Sequence, residues 1–215
     1  MKNSGLFVAV DGPNGVGKST LIEAIAQNLS QKGLSVHLTK EVTDTTLGEF
    51  VRSVHREYRG KTLTLLLAAD RQNHIEQDIV PALRTHDVTI TDRYVQSSLV
   101  FQRLDGVELS YIWRTNAEFL KPHLSVSVTA SAEVIARRLA GRKSFDRFEE
   151  SFRRDQEIRL FKEAASFLKK KGFNVRRFTN ENVGVAEAAE ELSNELLCVR
   201  QKRIRTMPST SRKRS

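Results

Sequence analysis

The run from Val8 to Thr20, VAVDGPNGVGKST, constrains the fold more than any other part of the chain. An apolar stretch, Leu6 to Val10, enters a glycine-rich turn and leaves it as the first turn of an amphipathic helix. Gly12, Gly17, Lys18 and Ser19 fit the spacing G-x-x-x-x-G-K-[ST]. Glycines let successive backbone N–H groups curl around an anion, the helix N-terminus adds partial positive charge, and the lysine reaches the β- and γ-phosphates. The expected cradle for a nucleoside triphosphate is thus Gly12, Pro13, Asn14, Gly15, Val16, Gly17, Lys18, Ser19 and Thr20, with the Ser19 hydroxyl on Mg²⁺. A chance match in an ordinary turn is the competing reading, and the strand before and helix after count against it.

The net charge of +9 suggests a nucleic-acid partner until it is placed along the chain. Seven of the 35 basic residues fall between Val199 and Ser215, where there is no acid, and the body is nearly balanced. The expected organisation is one domain over 1–199 and a flexible basic tail over 200–215, with nucleic-acid contact confined to that tail. The lone Cys198 excludes an intrachain disulfide and fits a reducing cytoplasm; its place on an apolar-faced helix predicts a buried thiol. Met1 to Gly5 is too short and polar for a leader, and no apolar run reaches the ~20 residues of a membrane span. The five histidines are dispersed, without metal-ligand spacing.

Along the chain, apolar spacing predicts a helix after the loop, ending at Gly33, then a strand from Ser35 to Lys40. That order opens a doubly wound parallel sheet. A helix is expected from Leu47 to Tyr58, and another from Leu63 to Leu83 that Pro81 should kink or end. Asp87 to Asp92 reads as a strand whose C-terminal end, where open α/β sheets place ligands, carries Asp92. Helices from Val95 to Arg103 and Val107 to Leu120 follow, then a strand from Leu124 to Thr129 and a helix capped by Ser131. A basic stretch, Gly141 to Arg147, precedes a long helix that Gly172 closes, a fifth strand from Asn174 to Phe178, and a last helix from Val185 to Val199.

Phosphate loops serve switches, motors and kinases alike, so other residues must choose. The chain has no guanine-reading Asn-Lys-x-Asp run, and the strand that a motor would end in Asp-Glu ends here in Asp92-Arg93. An arginine beside a metal-side carboxylate suits phosphoryl transfer between two anionic groups, and the basic stretch beginning at Gly141 suits a lid that excludes water from the γ-phosphate. A solvated basic loop is the bland alternative for that stretch.

The chain resembles the thymidylate kinases over roughly residues 5–195. The pieces that carry the resemblance stand in the family's order: the phosphate loop; LLLAADRQNHIEQDIVPAL at 65–83; TDRYVQSSLVFQ at 91–102; Pro122 before a strand; and SFDRFE at 144–149. The resemblance implies a P-loop NTPase fold, an α/β/α sandwich on five parallel strands with a short lid at about 141–148. It implies Mg²⁺-dependent transfer of the ATP γ-phosphate to a nucleoside monophosphate, dTMP above all, by a homodimer. Residue by residue, it implies Lys18 on the donor phosphates, Ser19 and Asp92 on the metal, and Arg93 between acceptor phosphate and γ-phosphate. It places Arg71 on the acceptor base, Ser98 and Gln102 around it, and Arg142, Lys143 and Arg147 as lid cations.

Departures cluster on the acceptor side. Asn14 stands where the family carries a carboxylate for the acceptor sugar, Leu67 where a phenylalanine stacks on the base, and Lys40-Glu41-Val42-Thr43 where Arg-Glu-Pro-Gly is usual. Asn14, Lys40, Glu41 and Leu67 therefore join the expected acceptor-binding set. A kinase acting on another nucleotide or nucleotide-like metabolite, a nucleotide-binding protein with little turnover, and a nucleic-acid-associated protein are the alternatives.

Overall fold

The computed structural model describes residues 5–140 and 151–206. Strand β1 (Leu6–Asp11) is buried at every position, as a continuous apolar run in a parallel sheet should be. It lies at the centre of five parallel strands in the order β2-β3-β1-β4-β5, with β2 at Val36–Lys40, β3 at Val88–Asp92, β4 at Leu124–Thr129 and β5 at Val175–Thr179. Alternation along β1 divides the core. Leu6, Val8 and Val10 face one layer with Leu21, Ile25 and Leu29 of α1 (Lys18–Gln31) and Leu192 and Leu196 of α9 (Val185–Thr206). Phe7 and Ala9 face the other layer, with Leu99 and Val100 of α5 (Val95–Leu104) and Phe161 and Leu168 of α8 (Ser151–Lys170). The α/β fold of the P-loop family is therefore built on the expected strands.

The chain reverses order between β3 and β1, and the C-terminal ends of these strands open into the site. Helices α2 (Thr46–Val54) and α3 (Gly60–His74) stand beside that opening; α6 (Leu109–Asn116) precedes β4 and α7 (Ala132–Leu139) follows it.

Several boundaries differ from the sequence expectation. The expected helix over 63–83 is there, and Pro81 does not end it. A π-helical turn, Ile75–Ile79, leads into α4 (Val80–Thr85), which places the proline in the first turn where its missing N–H costs little. Helix α2 stops at Val54 rather than Tyr58, and α6 covers only Leu109–Asn116. The last helix continues to Thr206, so residues 200–206 are helical rather than part of a flexible tail, and Arg200 pairs with Asp87 beside β3. Cys198 is exposed, not buried, because the core-facing stripe of α9 passes through Leu192 and Leu196 and leaves it outside. Among the described residues no helix is long and apolar enough to cross a membrane.

Candidate active site

The loop between β1 and α1 is shaped by backbone that side chains would obstruct. A Cβ on Gly12 would stand 2.3 Å from the Val128 carbonyl oxygen, and Gly17 takes φ +92° as it caps α1. Pro13, Gly15 and Val16 are buried in the same turn, and the Val16 carbonyl accepts from Arg138 Nη1 and Asn180 Nδ2, each at 2.8 Å. These two side chains, which sequence reading did not assign to the loop, brace it from α7 and from the end of β5. The Asn14 N–H donates to Glu157 Oε1 at 2.9 Å, so a buried carboxylate from α8 holds a third point.

Lys18 is the first residue of α1 and folds back over the loop, donating to the Gly12 and Pro13 carbonyls at 2.9 Å each. Burial, reinforced by the Arg93 guanidinium, pushes its ammonium down to about 7. A polyanion seated there would restore the charge. Ser19 and Thr20 are exposed at the rim, and the Ser19 hydroxyl donates to Asp92 Oδ2 at 2.8 Å. Asp92 Oδ1 is buried with no hydrogen-bond partner among the described residues. Together with Asn14, Gly15, Gly17 and Arg93, these residues line a polar cavity of about 150 Å³.

Arg93 follows β3 at φ +75°, the left-handed region that non-glycine residues seldom occupy. Its position is fixed on both sides: its N–H donates to the Val10 carbonyl at 2.9 Å, and Asp11 holds what comes next. Asp11 Oδ1 accepts from the Tyr94 N–H, the Ser97 N–H and the Ser97 hydroxyl at 3.0, 2.9 and 2.7 Å, capping α5 from 83 and 86 positions away. Burial nevertheless holds the Asp11 carboxyl above its usual range. The Arg93 guanidinium donates to Asn14 Oδ1 at 2.5 Å and to Ser97 Oγ at 3.2 Å, and lies 5.0 Å from the Phe101 ring centre.

A second, larger cavity of about 560 Å³ opens on the other side of Arg93. Leu67, Leu63, Val51 and Phe101 form its apolar walls; Arg71, Glu41, Ser98 and Gln102 supply polar groups. Arg71 and Glu41 are both buried, and the guanidinium engages both carboxylate oxygens: Arg71 Nε donates to Glu41 Oε1 at 3.1 Å and to Oε2 at 2.9 Å, and Nη2 donates to Oε2 at 2.5 Å. Arg71 holds the Glu41 carboxyl below its usual range despite burial, and Glu41 holds the guanidinium charged. Arg71 Nη1 donates to Ser98 Oγ at 2.9 Å and to Asn116 Oδ1, while Tyr94 and Phe119 flank its plane. Among the described residues, one N–H of Nη2 has no acceptor, and Gln102 Oε1 is buried without a partner.

The structure thus brings together most of the expected residues, in two groups that meet at Arg93. Lys40 does not join them: it is exposed at the end of β2, paired with Asp44 at 3.0 Å, and absent from both cavity linings. Arg142, Lys143 and Arg147, and the lid as a whole, lie outside the described residues. Phe101, Asn116 and Glu157 escaped sequence reading because a single apolar, amide or acidic residue on a helix reads as core or surface. Only the fold aims them at a site.

Residues 10–185 match the family model for thymidylate kinase. A probable thymidylate kinase of Caldivirga maquilingensis is 32% identical over 88% of this chain and 88% of its own length. One of Pyrococcus abyssi is 30% identical over 87% of this chain and 94% of its own. A thymidylate kinase of Exiguobacterium is 34% identical over 68% and 73%. The matched span starts inside β1 and runs through both cavities to the start of α9, so the likeness covers the machinery as well as the sheet that carries it. This chain belongs to the thymidylate kinase family and is an ATP-dependent nucleoside monophosphate kinase.

Proposed function

We propose that this protein transfers the γ-phosphate of ATP to thymidine monophosphate, giving the diphosphate and ADP. The observation that carries the reading is Arg93, which lines both the phosphate-loop cavity and the larger one. A donor in the first and an acceptor in the second would place both anions on one guanidinium, and positioning with charge neutralisation is most of what phosphoryl transfer requires. Lys18, freed from the Gly12 and Pro13 carbonyls, would take the donor's β- and γ-oxygens. Arg142, Lys143 and Arg147 are assigned to the lid on sequence alone.

Ser19 and Asp92 fit Mg²⁺: both are hard oxygen donors, Asp92 Oδ1 is an orphaned buried acceptor, and this ion takes one or two protein ligands and completes its shell with phosphates and water. When bound, Mg²⁺ neutralises charge on the β- and γ-oxygens.

The acceptor base is supported by donor and acceptor matching. Arg71 offers an N–H, and Gln102 Oε1 seeks one. A 2,4-dioxopyrimidine supplies both complements, a ring carbonyl and the N3 hydrogen, whereas cytosine presents an acceptor at N3. The apolar walls from Leu67, Leu63 and Val51 suit the thymine methyl. The relatives' names point the same way. A homodimer, implied by the family resemblance, belongs to the same proposal and is read by sedimentation.

A panel of nucleoside monophosphates with ATP and Mg²⁺, read by ADP release, tests the reading. dTMP is expected to give the highest kcat/KM. A higher value with a purine or cytosine nucleotide would overturn the choice of acceptor.

A further inference from the structure

Arg71 and Glu41 hold each other, but a third buried residue touches the pair. His74 follows Arg71 by one turn on the same face of α3 and is 1% exposed. Its Nδ1 stands 3.3 Å from Glu41 Oε1; its Nε2 stands 2.7 Å from Thr39 Oγ1 and 3.5 Å from Asp78 Oδ2. Glu41, held ionised by Arg71, can only accept, so Nδ1 must carry the proton and donate. The Thr39 hydroxyl on β2 then fixes the other side of the ring. Glu41 is left with one oxygen shared between Arg71 Nε and His74 and the other committed to Arg71, so the carboxylate cannot rotate without losing a bond.

We infer that His74 is a positioning residue for the acceptor cavity: through its Nδ1–H it fixes the Glu41 carboxylate, which aims the unassigned Arg71 N–H into the cavity. His74 itself does not line either cavity, so its effect on the acceptor passes through Glu41 and Arg71. The inference rests on the reading that this cavity takes the acceptor nucleotide. It does not depend on which nucleotide that is.

Isosteric variants separate positioning from packing. In His74→Asn the side-chain amide nitrogen replaces Nδ1 and can donate to Glu41; in His74→Gln it replaces Nε2 and keeps only the Thr39 side. With the best acceptor of the panel, His74→Gln is expected to raise the acceptor KM about tenfold, the size of one lost hydrogen bond to an ionised group, and to leave the ATP KM unchanged. His74→Asn is expected to stay within about threefold of the parent. Glu41→Gln should raise the acceptor KM at least as much, and combining it with His74→Gln should add little, because both break one chain of contacts. The ATP KM, measured in the same preparations, reports that each variant is folded. Equal acceptor KM values for the Asn and Gln variants, a parallel rise in the ATP KM, or additive effects of His74→Gln and Glu41→Gln would each overturn the inference. Failure of the acceptor reading would show instead in the unsubstituted protein, as ADP release that no nucleoside monophosphate stimulates.

Discussion

The two cavities that meet at Arg93 are built on opposite plans. The smaller takes most of its lining from one run of chain, 14–20, with only Asp92 and Arg93 added from the end of β3, and its phosphate-binding groups are mostly main chain and one lysine. The larger draws side chains from the end of β2, from α2, α3 and α5, and its central group is a buried ion pair between residues 30 positions apart. Backbone recognition depends on glycines and on the strand and helix that flank them. Side-chain recognition depends on partners that must all be delivered by the fold. The donor end therefore tolerates little change in conformation, whereas the acceptor end can be retuned by single substitutions.

The sharpest way to break this contrast is Lys18→Ala. It should lower kcat/KM about a thousandfold with every acceptor in the panel, since the lost charge serves the donor phosphates common to all. A loss that varied strongly from one acceptor to another would show that the two ends are not independent. Next in size is Arg71→Leu, which leaves the buried Glu41 carboxylate without its guanidinium counter-charge. Urea denaturation should show a loss of about 3–5 kcal/mol, larger than that of replacing both members by apolar residues. If the single and double replacements cost the same, the pair does not organise the acceptor end as the geometry indicates.

Leu67→Phe should sharpen the contrast in the favourable direction. A ring on the cavity wall adds a stacking contact of about 0.5–1.5 kcal/mol, so kcat/KM for dTMP should rise roughly three- to tenfold without change in the ATP KM. An unchanged or lower value would mean that the cavity beside Phe101 is shaped for a different base.

The smallest effect belongs to a residue outside both cavities. His123 Nδ1 accepts the Phe7 N–H at 2.7 Å between β4 and β1, and burial, with Arg203 nearby, pushes it down to about 4 from an ordinary 6.5. Between these values the unfolded chain binds the proton and the folded chain does not, so stability falls as pH drops through that window. His123→Asn, whose carbonyl can accept the same N–H, should reduce the difference in urea midpoint between about pH 5 and 7 while leaving both KM values alone. A pH dependence as steep as the parent's would assign the effect to other groups.

Legibility followed the range of the interactions. β1, the phosphate loop and α1 could be read because strand, glycine turn and helix start are consecutive and each has a local signal. Ser131 was readable as a cap for the same reason, whereas Asp11 capping α5 was not, because the cap and the helix lie far apart in sequence. Helix α9 is longer than the sequence suggests because a run of basic residues with only Ile204 among them reads as solvated, yet Arg200 pairs with Asp87 beside the sheet. Pro81 looked like a helix breaker, and a π-helical turn absorbed it. Lys40 belongs to the expected acceptor set by its place in a motif; in the structure it pairs with Asp44, four residues on, and lines neither cavity.

By itself the sequence determined the donor end: the spacing of Gly12, Gly17, Lys18 and Ser19 leaves a strand–loop–helix little other conformation and little other ligand. Only the tertiary structure decided the acceptor end. A guanidinium from α3, a carboxylate from the end of β2 and an imidazole beneath them acquire fixed geometry when the sheet sets β2 against α3. No local pattern records hydrogen bonds between groups 30 and 33 residues apart.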